Sequence, residues 1–409
     1  MLRPTSTHLI FSALLLAGCA STEPLADSQN GTAATAPSVQ VRNDEGARTA
    51  ILDPVAGPTE ARRPLPYPVT PDQAWLAAVE SGTRTLTGEP GEAYWTNRAE
   101  YRLAARLDVE NRSLEGTGTI VYHNQSPDPM PVIVLELAQN LHKPGTIKYE
   151  AVEVTSGVEL TSVSADGRPM PETTLEAQYM GGESGYLVDG TLMAVFPERT
   201  VQPGERIELE ISWQFDIPQQ GASGRMGWSR DNLFYVGYWY PHMAVYDDVI
   251  GWLEDPFTGQ AEFYHGFADY EIEITAPEGW LVMSTGAFLN PEQTLAPDVL
   301  QRYGRAGQSD TVVTIVGPGQ FEQATLDAPD GELVWRFRAE NVRDVAFSAA
   351  RESVWDGTRS NVGDLDGDGE DDYTRIHTFW RESAPLWSEQ AAYARHAIEF
   401  LSRSIAHPY

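Results

Sequence analysis

Six carboxylates fall within nine residues in the run Asp364-Leu365-Asp366-Gly367-Asp368-Gly369-Glu370-Asp371-Asp372. Acids at first, third, fifth and ninth positions, with glycine sixth, open a calcium loop of the EF-hand or dockerin type. Alternate carboxylates there converge on a hard cation while the glycine permits the turn. The expected ligands are Asp364, Asp366, Asp368, Glu370 and Asp372. Position twelve, normally a bidentate Glu, is Arg375, so the loop is incomplete. A solvated acidic turn is the plainer alternative, but six acids this close repel one another strongly without a cation, which favours Ca2+. Its role would be to stiffen the loop, not to catalyse.

One common hydrolytic zinc site pairs two histidines one helical turn apart with a third ligand, leaving water on the fourth side. The histidines are His8, His123, His142, His242, His265, His377, His396 and His407, and no two are four residues apart. Glu262-Phe263-Tyr264-His265 has the E-x-x-H spacing without a leading His, and reads as a strand edge. No zinc ligand and no catalytic residue is therefore assigned. Trp239, Tyr240, Tyr246, Trp252 and Tyr264 stand among carboxylates between residues 237 and 280. They could wall a substrate cleft, yet aromatics at this density more often pack a core, and His242 and Asp247 share that discount.

The elements that must position these groups are mostly strands. The run 101–109 alternates apolar and polar, and 116–122 follows a turn-like Asn111-Arg112-Ser113, as in a hairpin with one wet face. Alternation recurs at Ile207, Leu209, Ile211 and Trp213, at Tyr270, Ile272 and Ile274, and at Leu333, Trp335 and Phe337. The fold class is mainly β: an antiparallel sandwich or saddle-like sheet, followed by the first helical elements of a further domain. Helices are expected at 341–353 and 388–405, the second with Ser388 as N-cap and Tyr393, Ala397, Phe400, Leu401 and Ile405 on one face.

With 409 residues, two domains fit. Acids outnumber bases 59 to 28, and the net charge of -31 repels nucleic acid and anionic membrane surfaces. Residues 1–19 read as a lipoprotein signal peptide, in which Leu16-Ala17-Gly18-Cys19 resembles a bacterial lipobox and Cys19, the single cysteine, is the lipidation site. Ala20 in place of Asp points to the outer membrane, with lipid as the only membrane contact. Residues 20–93 read as a disordered tether carrying one short helix after Pro71-Asp72.

Several segments together resemble the M1 (gluzincin) zinc aminopeptidases. Tyr101 to Leu107, Leu114-Glu115-Gly116 and Val121 to Asp128 are similar to the opening hairpin of the family's N-terminal β-domain. Val132 to Asn140 is similar to its next strand, and Trp239-Tyr240-Pro241, Asp247-Asp248, Gly251-Trp252, Glu262-Phe263-Tyr264 and Ser284-Thr285-Gly286 to its end. Glu340 to Ser348 resembles the start of the catalytic domain. The resemblance implies a β-domain over 94–339 and an incomplete peptidase-like domain over 340–409. For the complete enzyme it implies Zn2+, peptide substrates and removal of N-terminal residues. The family's HExxH and G-x-M-E-N motifs have no match, and its amine-binding residue falls by position near Asn232. The expectation is the N-terminal portion of a lipid-anchored M1-like enzyme, inactive alone. The alternative is a non-catalytic, surface-anchored β-sandwich that binds peptides or partners.

Overall fold

The structure, a computed structural model of the chain, describes residues 71–182, 184–219, 225–230, 232–260 and 263–404, all within one unit that starts at Thr70. Cys19, Glu262, Ile405 and the tether up to residue 70 lie outside the described residues. The architecture is mainly β, as expected. An eight-stranded sheet runs in the order Ala287–Phe288, Glu332–Val342, Ala268–Pro277, Arg98–Asp108, Ser113–His123, Arg206–Asp216, Glu159–Ala165, Arg168–Pro169. Its pairings are antiparallel except for one central parallel pair, Arg98–Asp108 with Ala268–Pro277.

The hairpin forms where alternation predicts it, with Arg98 opposite His123 and Asp108 opposite Ser113. Asp108 Oδ1 accepts from the Glu110 and Asn111 amides at 3.0 and 2.8 Å, and Arg112 takes a positive φ of 57° to close the turn. Tyr101, Leu103, Ala105 and Leu107 all point inward from one face. On the adjacent strand, a side chain at Gly116 would strike the Trp213 indole, since a Cβ there would lie 2.3 Å from it.

That indole is a structural post. Trp213 Nε1 donates to the Trp239 carbonyl at 2.7 Å, and Trp239 Nε1 donates to the Val345 carbonyl at 3.0 Å. Both rings are buried, so neither N–H has water as an alternative partner. The link reaches a four-stranded sheet of Leu281–Ser284, Phe347–Ala350, Leu233–Val236 and Met226–Ser229. A second four-stranded sheet contains His242–Met243, Ile133–Glu136, Leu192–Phe196 and Gly185–Asp189.

Two expectations about helices are corrected. Residues 341–353 form no helix: Phe347–Ala350 is a strand held between Leu233–Val236 and Leu281–Ser284. Phe347 and Ala349 face the core, and two waiting strand edges outweigh local helical preference. The last helix starts at Gln390, with Ser388 inside a preceding 3-10 turn, Pro385–Glu389, and not at the N-cap. Its packed face carries Ala391, Ala394 and Ile398, set on the strands Val354–Gly363 and Asp372–Trp380. Tyr393, Phe400 and Leu401 point outward, beside exposed Leu386 and Trp387. None of the described helices is long and apolar enough to cross a membrane.

Before the sheet, the short helix Gln73–Ser81 is capped by Asp72, whose side chain accepts from the Ala74 amide at 2.7 Å. Just beyond it, Arg84 grips Asp248 with Nε at 2.9 Å and Nη2 at 2.6 Å, a forked pair that fastens this segment to the body.

One buried contact sets a pH dependence. His377 Nδ1 accepts from Trp355 Nε1 at 3.1 Å, so that nitrogen must stay unprotonated. Burial, helped by the Arg375 charge, lowers His377 from 6.5 to about 4. The unfolded chain takes up a proton that the folded ring refuses, so this stability is complete above about 6.5 and is lost as pH falls toward about 4. The loss should be about 3 kcal/mol. Denaturant melts of the wild type and His377→Gln across this window test it, and equal slopes in both would refute it.

Candidate functional site

Two clefts gather the polar chemistry. The first, of about 650 Å³, opens where the N-terminal end of the hairpin meets the loops 242–248 and 264–269. Tyr94, Tyr264 and Phe267 are exposed on its walls, and Trp95 stacks on Tyr246 with ring centres 5.9 Å apart. The Trp95 Nε1 donor is buried without a partner among the described residues. The aromatic cluster therefore divides: Trp239 and Tyr240 are core, Trp252 packs half-buried on Tyr246, and Tyr246 and Tyr264 line the cleft. Asp247 Oδ1 accepts from the Val249 and Ile250 amides, and Tyr264 donates to Oδ2 at 3.3 Å, so this carboxylate is spent on shaping its own loop.

The floor is a buried relay. Glu136 ends the fully buried strand Ile133–Glu136 and faces His242 across the ladder. His265 Nε2 lies 3.1 Å from Glu136 Oε2, and the two imidazoles stack with centres 3.9 Å apart. His265 is thus a buried loop residue and not part of a strand edge. His242 Nδ1 lies 2.8 Å from the Met243 carbonyl, and Nε2 lies 3.0 Å from the Arg343 carbonyl and 3.3 Å from the Tyr270 hydroxyl. Beyond it, Tyr240 donates to Asp344 Oδ1 at 2.7 Å. Burial and then the neighbouring His265 pull His242 below its ordinary value, against Asp344 and Glu136. Burial raises the phenols of Tyr101, Tyr240 and Tyr270, which keeps all three protonated, and Tyr101 accepts from the Met243 amide at 3.0 Å. The relay can hold a proton beneath an aromatic cleft. It does not fit zinc, because both nitrogens of His242 are turned to backbone carbonyls and His265 is turned to Glu136.

The second cleft, of about 560 Å³, is lined by Arg230, Asn232, Arg351, Glu352, Arg381 and Glu382, among others. Asn232, at the position where the resemblance put an amine-binding residue, has its Oδ1 3.1 Å from Arg381 Nη2 and donates from Nδ2 to Glu352 at 2.9 Å. Burial, and then the like charge of Arg230, lower Arg381 from its ordinary value, while Glu352 opposes them.

The acidic loop is the tip of the hairpin between Val354–Gly363 and Asp372–Trp380. It brings Asp364, Asp366 and Asp372 together, with one ligand atom from each inside 4.8 Å of the others. Asp364 also accepts from the Gly367 and Gly369 amides, and Asp372 from that of Leu365. Asp368 turns to the Glu370 amide at 2.8 Å, and neither Asp368 nor Glu370 joins the group of three.

Glu136, Asp344 and Arg381 were not singled out in the sequence. The signal for Glu136 was present as one acid closing an apolar Ile-Val-Leu run, whereas its histidine lies 129 residues away.

No profile of a known family and no curated protein matches the chain. Among solved structures it is similar to an M1 zinc metallopeptidase from Deinococcus radiodurans, at 13% identity and a TM-score of 0.39, over 78% of this chain and 56% of that one. A mutant of the same organism's enzyme bound to a Tyr-Ser-Ala substrate gives 13%, 0.36, and 71% against 49%. A two-domain M1 zinc metallopeptidase mutant bound to L-tryptophan gives 14%, 0.36, and again 71% against 49%. The chain spans about half the length of these structures.

Removing one member of the buried acid–imidazole pair strands the other. Glu136→Ala should cost about 3 kcal/mol, and the double variant Glu136→Leu with His265→Leu should regain most of it. Additive losses in a double-mutant cycle would show that the pair is not coupled.

Proposed function

We propose that this chain is the peptide-handling portion of an M1-like zinc aminopeptidase, held to the bacterial outer membrane through Cys19 and lacking the zinc and general base of the complete enzyme. The observation that carries the reading is the place of Trp239-Tyr240-Pro241, one of the segments that resemble the family. Its indole and carbonyl tie the long sheet to the strand Phe347–Ala350, where the resemblance places the start of the catalytic domain. The exposed Leu386, Trp387, Tyr393, Phe400 and Leu401, all on the last helix or the 3-10 turn before it, favour this over a free-standing binding module, since so many large apolar side chains left in water suit a contact face. The ligand class is peptide, and the net charge of -31 disfavours nucleic acid.

The acidic hairpin tip is assigned to Ca2+, with Asp364, Asp366 and Asp372 as its nucleus.

Two measurements test these assignments. The purified 409-residue chain, given Zn2+, should hydrolyse no aminoacyl reporter; turnover that a chelator removes and zinc restores would overturn the reading. Calcium at about five times Kd should stabilise the fold by about 1 kcal/mol, roughly 2 °C in Tm. Asp366→Ala should abolish that shift, and an unchanged wild-type melt would sink the calcium assignment.

A further inference from the structure

Along the long sheet Arg98, Arg106 and Arg336 each meet a carboxylate on another strand, as expected where acids outnumber bases 59 to 28. The second cleft breaks this pattern. Arg230, Arg351 and Arg381 line it together, and none is ion-paired among the described residues. Arg381 is half-buried, and the acceptors it has are neutral: the Asn232 amide oxygen at 3.1 Å and the Ser229 carbonyl at 3.4 Å. Arg230 and Arg351 have no side-chain partner among the described residues. Glu352, the acid best placed to neutralise Arg381, is occupied by Asn232 Nδ2 at 2.9 Å.

The backbone beneath is held under load. Arg230 and Glu352 both adopt left-handed φ, 54° and 63°, just past the ends of the strands Met226–Ser229 and Phe347–Ala350, which flank Leu233–Val236 on either side. Non-glycine residues in this region cost free energy and collect at ligand sites. The Asn232 carbonyl accepts the Arg351 amide at 2.8 Å, so Asn232, Arg351 and Arg381 form one hydrogen-bonded unit.

We propose that this cleft binds a carboxylate group of a peptide through Arg230, Arg351 and Arg381. Guanidinium forks match a planar carboxylate two bonds at a time. Glu322, Glu352 and Glu382 also line the cleft, and on a chain of net charge -31 this rim penalises a phosphate dianion more than a single carboxylate. The inference concerns binding alone. It goes beyond the aminopeptidase reading and stands or falls apart from it, because no turnover is measured.

Isothermal titration of the 409-residue chain tests it with three acetylated tripeptides: Ala-Ala-Ala with a free C-terminus, Ala-Glu-Ala amide, and Ala-Gln-Ala amide. A carboxylate-bearing peptide should bind at least about tenfold tighter than the Gln amide. The stronger of the two acids identifies whether a C-terminus or an acidic side chain is the source. Arg381→Gln should erase the preference. Arg351→Gln, a change at an exposed side chain without partners, should weaken it while leaving the melt unchanged, and Arg106→Gln on the long sheet should leave it intact. Equal binding of all three peptides, no binding of any, or a preference that survives both cleft variants would overturn the proposal. Inorganic phosphate binding tighter than either acid would overturn the carboxylate assignment.

Discussion

Two buried indole N–H groups in series constrain the rest of the molecule. A donor sealed from water must find an acceptor or leave the fold poorer by about 1–3 kcal/mol. Trp213 fits only because Gly116 and Gly118 leave room above the sheet, and its N–H then fixes the carbonyl of Trp239. The N–H of Trp239 in turn fixes Val345. Three segments far apart in sequence are thereby brought into one register. From Trp239 the chain passes directly to Tyr240 and His242 under the first cleft. From Val345 it passes to the strand whose end carries Arg351 and Glu352 into the second. Both clefts inherit their geometry from the same pair of rings.

The strands of the long sheet were legible because one face is dry and the other wet, so a period of two is written into the residues. The hairpin at Asn111 was legible for a related reason: Asp108 and the left-handed Arg112 make a turn from local chemistry alone. Where partners decide, reading failed. Phe347 to Ala350 becomes a strand because Leu233–Val236 and Leu281–Ser284 offer it two edges, and nothing within the segment announces them. In the last helix the period was right: Tyr393, Phe400 and Leu401 share a face, and that face is exposed. Ala391 and Ala394 let the backbone sit close to the sheet, which a row of aromatics would prevent, so the bulky stripe turns outward.

The site residues follow the same division. The acidic run was visible as a pattern, yet only three of its five named acids converge: Asp368 turns to the Glu370 amide beyond the group, while Asp364 and Asp372 accept amides from within the loop that gathers them. The Glu136–His265 contact and the arginine cleft have almost no local signature. They arise where sheets that pair elsewhere happen to meet, and charge on an apolar strand is the single residue-level hint.

Arg84 and Asp248 close a forked contact at the point where the chain leaves its first described helix for the body. Loss of this contact would free the helix Gln73–Ser81 while the strand Arg98–Asp108 stayed held along its length by Ser113–His123 and Ala268–Pro277. A forked ionic clasp yields stepwise and is softened by salt. Its neighbours Tyr94 and Tyr264 are walls of the first cleft, with the Arg84 guanidinium lying 4.9 Å over the Tyr94 ring. The clasp thus fixes the end of the helix Gln73–Ser81 and one wall of the aromatic cleft with the same pair of charges, so salt that loosens one loosens the other.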